Sequence, residues 1–524
     1  VKRGLQKLIG LALVVFLFWP DTSHYFAQGF ITNAPWTGTW SSAPAVTSDP
    51  GFNNQTIRQI VHTSIGGTAA RLTLSNLFGE KPVTIGDVRI ARRQHGARTI
   101  AGTDRQVTFN GQSYVTIPAG GSVQSDAVAF QVPTLGDIAV SMHIPSQTPP
   151  NSTGHIDAMQ DVYIAPGDVS ADSNFAGGVV NAAGGQSNYF LTNVDVMNAA
   201  ATGAVVAFGA SITEGTASTP NTNRRWPNRL AERLNRAGMT VGVLNQGISG
   251  NDFFTDASGQ AGLTRFARDV LGQANVKWVI ISDDAVNNLI SGNPPSAQQL
   301  MTAYQRLARQ AGDAKVGVIC STLTPFEGMA EWTPAIEDTR QTVNAFLRGR
   351  SSGCDAVLDQ AQVLGDPAST AADAAYARSY NSGDDLHPND AGMQAIANAV
   401  DLTWFAALPP INAPSACGRL TTGEGIAMGQ SLAACSGSVE LTLQDDGYLV
   451  AVLNGETIWS SHVSGTPGVE IRMQEDGNLA MYDSNGAMVW QTRTSVPGAY
   501  ATIQKDGHLV IYSPHGTALW SSAG

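Results

Sequence analysis

Between residues 32 and 198 apolar and polar residues alternate in short runs. Ala70-Arg71-Leu72-Thr73-Leu74, Val83-Thr84-Ile85 and Val107-Thr108-Phe109 each place an apolar side chain at every second position. That period belongs to a strand with one buried face. Gly66-Gly67, Asn110-Gly111 and Ala119-Gly120-Gly121 separate the runs with turn chemistry. Residues 138–145 form a further strand candidate. No helical period intervenes, so this region is predicted to be a β-sandwich. A stretch rich in glycine and asparagine, 177–188, reads as a loop or linker.

From about 202 to 408 the pattern changes. Residues 203–208, Gly-Ala-Val-Val-Ala-Phe, are apolar without alternation, as in a strand buried on both faces of a parallel sheet. Residues 241–244, 278–281 and 316–319 repeat that character. Helix-period segments lie at 225–237, 260–273, 297–311 and 335–350, and Gly238 stands where a helix C-terminus favours glycine. The alternation predicts a three-layer α/β domain, a parallel sheet flanked by helices, with ligands at the strand C-terminal ends.

From about 417 the chain repeats itself. Gln444-Asp445-Asp446-Gly447-Tyr448-Leu449 returns as Gln474-Glu475-Asp476-Gly477-Asn478-Leu479 and as Gln504-Lys505-Asp506-Gly507-His508-Leu509, at a period of 30 residues. Trp459, Trp490 and Trp520 follow at matching offsets. Three strand-and-turn units sharing one core predict a threefold β-prism or a small propeller-like body. The predicted organisation is therefore multidomain: a sandwich over 32–198, an α/β domain over 200–410 and a repeat body over 415–524.

The N-terminus carries a targeting pattern. Lys2, Arg3 and Lys7 precede or open onto an apolar run at 8–19, too short to span a ~30 Å hydrocarbon core comfortably. It predicts a secretory signal peptide over 1–27, with an uncleaved anchor as the alternative. No later stretch reaches ~18 consecutive apolar residues, so no membrane span is expected in the mature chain. A secreted location, extracellular or at the cell surface, follows as an expectation. Thirty basic against 42 acidic residues give a net charge of −12, without any basic block. That excludes sequence-independent binding to nucleic acid. Cys320 with Cys354 and Cys417 with Cys435 lack metal-ligand spacing. In an oxidising compartment these two local pairs are the expected connectivity of three. No metal and no cofactor are predicted.

Candidate chemistry lies in the α/β region. Gly209-Ala210-Ser211 follows the first buried strand, and a small-residue turn there would expose the Ser211 hydroxyl. Serine is a weak nucleophile without an adjacent base. Of nine histidines, His387 in Asp384-Asp385-Leu386-His387-Pro388 is placed for that task, and Asp384 could fix its tautomer. The Gly-x-Ser-x-Gly pentapeptide is absent, because Thr213 occupies its last position. Residues 245–251 could offer backbone N–H groups and Asn287 a side-chain amide, the donors a developing oxyanion requires. Asp283-Asp284 is not read as a metal pair, since neighbours on a strand face opposite sides. His62, His143 and His155 read as structural histidines, and Trp226 and Trp332 as core.

These four blocks, in order, resemble the SGNH (GDSL-like) hydrolase family over roughly residues 200–405. The resemblance implies a catalytic triad of Ser211, Asp384 and His387. It also implies an oxyanion hole formed by Ser211, Gly247 and Asn287. Two of the blocks depart from the family pattern: Ala210 stands where Asp is usual, and Ala285-Val286-Asn287-Asn288 replaces Gly-x-Asn-Asp. Residues 36–40 and 58–63 look like the accessory module that precedes this catalytic domain in secreted bacterial esterases.

The repeat resembles the bulb-type mannose-binding lectin family, whose motif is Gln-x-Asp-x-Asn-x-Val-x-Tyr. The second repeat matches it with Gln474, Asp476, Asn478 and Tyr482, departing only at Ala480. The third keeps Gln504, Asp506 and Tyr512 but has His508 for Asn. The first loses both Asn and Tyr, with Tyr448 and Val452 in their places. Mannose-type glycans are the implied partners, with the second repeat favoured. The combined expectation is a secreted serine ester hydrolase acting on carbohydrate or other short-acyl esters and targeted to glycans. The alternatives are a carbohydrate-binding adhesin with an inactive hydrolase body, or a secreted lipase or phospholipase using the same triad.

Overall fold

The structure is a computed structural model. It describes residues 36–180, 186–349, 351–369, 374–405, 412–461, 467–483 and 486–523. The segment 1–27, read from the sequence as a signal peptide, lies outside the described residues. No described helix is long and apolar enough to cross a membrane.

The first region is a sandwich of antiparallel sheets. In one sheet Trp36–Ser41 pairs with Leu191–Met197, which pairs with Gly67–Ser75; that strand also pairs with Ser122–Gln124 and Val128–Val132. The other is built around Gln55–Thr63, Gly136–Ile144 and Val88–His95. Alternate residues of each strand meet between them: Leu72 and Leu74 from one sheet face Ile57, Val61, Ile138 and Val140 from the other. The pleat period seen in the sequence is thus the period of this core.

The second region holds five parallel strands in the order Val241–Gly247, Gly203–Gly209, Val276–Ile281, Gly317–Ser321, Ala356–Leu358. Gly203–Gly209 is buried along its whole length. One face of the sheet packs on helices Ala297–Asp313 and Pro334–Arg348 through Leu300, Leu307, Val343 and Leu347. The other packs on Trp226–Arg236 and Asp390–Ala399 through Leu230, Leu234, Met393 and Ile396. The segment predicted as one helix over 260–273 divides into an α-turn, Gly262–Phe266, and a π-helical turn, Ala267–Leu271.

The third region consists of three four-stranded antiparallel sheets around one apolar core that includes Leu441, Met481 and Ile511. Each hairpin-linked triplet of strands is completed by a short strand from an upstream segment: Arg419–Leu420, Gly425–Ala427 or Ser431–Ala433. Trp459, Trp490 and Trp520 form a triangle, with ring centroids 5.8–6.1 Å apart and every pair edge-to-face. Cys417–Cys435 and Cys320–Cys354 are both disulfide-bonded.

Candidate active site

Ser211 opens a one-turn helix, Ser211–Glu214, directly after the strand Gly203–Gly209. His387 lies before the helix Asp390–Ala399, whose N-cap Asn389 accepts the N–H groups of Ala391 and Gly392. The amide of Asn389 also donates to the carbonyls of Ser379 and Asn381, which pins the histidine loop.

The two loops meet at the sheet end. His387 Nε2 is 2.9 Å from Ser211 Oγ, and His387 Nδ1 is 2.6 Å from Asp384 Oδ2. A carboxylate oxygen only accepts, so Nδ1 carries the proton and Nε2 turns its lone pair to the serine hydroxyl. Burial opposes the charge on Asp384. The His387 N–H and imidazole, the Leu386 N–H and the Ser382 hydroxyl overcome it and bring the carboxyl down to about 2. Asp384 is therefore ionised across the neutral range.

The expected oxyanion donors are placed less uniformly. The Ser211 N–H has no partner among the described residues. Asn287, in the helix Asp284–Leu289, spends one amide N–H on the Asn251 carbonyl at 2.7 Å, leaving the other. The Gly247 N–H, expected as a third donor, is engaged by Asn245 Oδ1 at 2.9 Å. The Asn245 side chain folds back over its own turn, a competition that local spacing alone does not exclude. Glycine at 247 has a packing reason: a Cβ there would lie 2.3 Å from the Glu214 N and 2.7 Å from the Ala210 O.

Three residues that hold this site had no signature in the sequence. Asp283 accepts the Ile212 N–H at 2.8 Å and the Thr213 hydroxyl at 2.5 Å. It caps the nucleophile turn from the start of the helix Asp284–Leu289, while the buried Ala210 contributes no polar side chain. Asn245 donates to the Thr213 carbonyl at 2.8 Å. Arg265, fully buried, donates to the carbonyls of Gly209 and Gln246 and to Asn251 Oδ1, all within 2.8 Å. Its charge faces Asp269 and Asp284 at 3.3 and 3.4 Å. Burial pushes the Asp284 carboxyl up to about 7, against the pull of Arg265. Asp283 and Asp284 do diverge, but not as strand neighbours: the strand ends at Ile281, and they are the N-cap and first residue of the helix Asp284–Leu289. Asn288, which replaces the usual Asp of the third block, accepts the Phe253 N–H and donates to Asp252. It ties the second block to the third.

In the repeat body, Gln474 donates to the Tyr482 hydroxyl at 2.5 Å and Gln504 to Tyr512 at the same distance. Asp476 and Asp506 each accept the N–H two residues on and remain exposed. Asn478 differs from the expectation of a free sugar-binding amide. Its Nδ2 donates to Gln474 and Gln491, its Oδ1 accepts from Thr492 Oγ1 and the Arg493 N–H, and it is buried. All of its hydrogen-bonding capacity is spent inside the fold.

Residues 207–395 match the model of the GDSL-like Lipase/Acylhydrolase family, so the α/β region is a domain of that family. A solved protein of the G-D-S-L family from Desulfitobacterium hafniense is similar at 22% identity; the match covers 37% of this chain and 96% of that one, with a TM-score of 0.29. A Marasmius oreades lectin is similar at 33% identity over 21% of this chain and 92% of its own, TM-score 0.20. A mannose-binding lectin from Gastrodia elata is similar at 31% over 20% and 96%, TM-score 0.19. No curated protein matches the chain.

Proposed function

We infer that the protein is a secreted serine ester hydrolase that removes short acyl groups from carbohydrate or similar alcohols while its repeat body holds it on glycans. The observation that carries this reading is the unbroken relay from Asp384 through His387 to Ser211 Oγ. In this mechanism Ser211 Oγ attacks the ester carbonyl as His387 Nε2 takes its proton. The charge that gathers on the imidazole is matched by ionised Asp384. The Ser211 N–H and the second amide N–H of Asn287 face the developing oxyanion. Collapse of the intermediate expels the alcohol, which receives the proton from His387. Water then repeats the sequence on the acyl-enzyme. The Gly247 N–H joins the oxyanion hole only by sharing or leaving its bond to Asn245.

Glycan targeting rests on the repeated Gln–Tyr pairs with an exposed carboxylate beside each, in the second and third repeats. Two disulfides suit an oxidising, extracellular setting. A chain-length panel of p-nitrophenyl esters on the purified chain tests the hydrolase reading. Turnover that is greatest on short acyl groups and absent in Ser211→Ala supports it; equal turnover in that variant overturns it.

A further inference from the structure

The nucleophile turn is too short to hold itself. Ser211–Glu214 is a single turn whose internal bonds run from the Glu214 N–H to the Ala210 carbonyl and from the Gly215 and Thr216 N–H groups to the Ser211 carbonyl. Its geometry therefore depends on outside supports. Asp283 and Asn245 supply two of them from within the α/β region. The third comes from the sandwich.

His155 ends the short strand Thr153–His155 of the N-terminal region. Its Nε2 lies 2.8 Å from Glu214 Oε1, and both side chains are more than nine-tenths buried. On the opposite side its Nδ1 lies 2.8 Å from the Ala43 carbonyl. A carbonyl only accepts, so Nδ1 carries a hydrogen, and Nε2 is left facing the buried Glu214 carboxyl at ion-pair distance. Arg225, half-buried, packs its stem on Gly215 and donates to the Ala158 carbonyl, again in the sandwich region. A second line of contact runs in parallel: Ser41 Oγ donates to the Asn245 carbonyl, and the Asn245 amide reaches both Thr213 and Gly247. The strand Trp36–Ser41 lies so close to the strand Val241–Gly247 that a Cβ at Gly242 would sit 2.0 Å from the Gly38 O.

We propose that His155 is a positioning residue for Ser211, acting through Glu214, and that the N-terminal sandwich is thereby a working part of the catalytic unit. The proposal deepens the hydrolase reading and rests on it. Ser211 must sit within a few tenths of an ångström of its attack position, and a shift near 1 Å costs roughly 10²-fold in turnover. The pair acts on placement, so its loss lowers kcat and leaves KM nearly unchanged.

Two isosteric variants of the full chain test this. In His155→Gln the side-chain Nε2 still reaches Glu214; in His155→Asn only the contact towards Ala43 is kept. Both lose the ring, so general packing damage is shared between them. The expected result is a drop in kcat of roughly 10–100-fold for His155→Asn, with KM within about twofold of wild type, and substantial recovery in His155→Gln. The rate at which a fluorophosphonate modifies Ser211, read by mass, should rank the two variants in the same order. Equal or reversed ranking of the two variants overturns the proposal, whether both are intact or both impaired. Wild-type chain that is neither modified at Ser211 nor active on any ester overturns the hydrolase reading itself, which is a different result from a reactive wild type with indistinguishable variants.

Discussion

The α/β region and the repeat body both carry polar motif residues on well-formed strands and turns, yet they spend them differently. At the sheet end the polar chain is directional: Asp384 orients His387, and His387 leaves its last lone pair on Ser211 Oγ, which faces the site. In the second repeat the chain closes on itself. Asn478 bonds Gln474, Gln491, Thr492 and Arg493, and nothing is left over. A residue type at a motif position therefore does not reveal whether its hydrogen-bonding capacity is offered or consumed. A buried amide with all partners made is worth stability; a polar chain with one open end is worth chemistry.

The strongest way to sharpen this contrast is Ser211→Ala. It removes the open end and should lower ester turnover on the order of 10⁶-fold while thermal unfolding stays close to wild type. Steady-state kinetics beside calorimetry check both halves. Next is Arg265→Met, which strips the buried cation from Asp269 and Asp284 and frees the carbonyls of Gly209 and Gln246. It should destabilise the fold by about 3–5 kcal/mol, read by urea unfolding; a loss under 1 kcal/mol would show that the hub is dispensable. Asn287→Ala should reduce kcat roughly 10²–10³-fold with little change in KM, and a defect confined to KM would move Asn287 from the oxyanion to ground-state binding.

Asn478→Ala tests the closed side. It leaves buried partners unpaired and should cost on the order of 1–3 kcal/mol of stability in the repeat body. Its unfolding midpoint should fall even when no sugar is present. Loss of mannoside binding at unchanged stability would instead return Asn478 to a ligand role. The smallest effect concerns pH. Burial holds Asp284 near 7, above the ordinary Asp value of ~3.9. Between those values the folded chain keeps a proton that the unfolded chain has released. Its contribution to stability therefore falls as pH rises through that window and levels off above about 7. Asp284→Asn should flatten that slope when denaturant midpoints are compared at pH 5 and pH 8; an unchanged slope would assign the effect elsewhere.

What the sequence made legible follows from how local each signal is. The strand Gly203–Gly209, the helix Ala297–Asp313 and the threefold repeat are written in periodicity, and they stand where the pattern put them. Ser211, Asp384 and His387 were legible because turn and helix-start chemistry surrounds them. Ala356–Leu358 was not, because three residues at a sheet edge make no run of their own. The alternation at 107–109 overran its strand, which ends at Val107, while Phe109 closes only an isolated bridge to Gln112. His155, Asn245, Arg265 and Asp283 act across the fold through buried contacts, and no spacing in the chain records that a histidine of the sandwich will reach Glu214.

The tryptophan triangle separates keeping the fold from keeping the sites. Each indole edge rests on the face of another, so every repeat owes its closure to the other two and none can be deleted singly. The motif positions away from the triangle carry no such debt. Val452 has taken the place that Tyr482 and Tyr512 hold in the later repeats, and its sheet still closes on the common core. The three repeats are thus bound together through the triangle while their motif positions differ one from another, so that three unequal surfaces stand on one shared core.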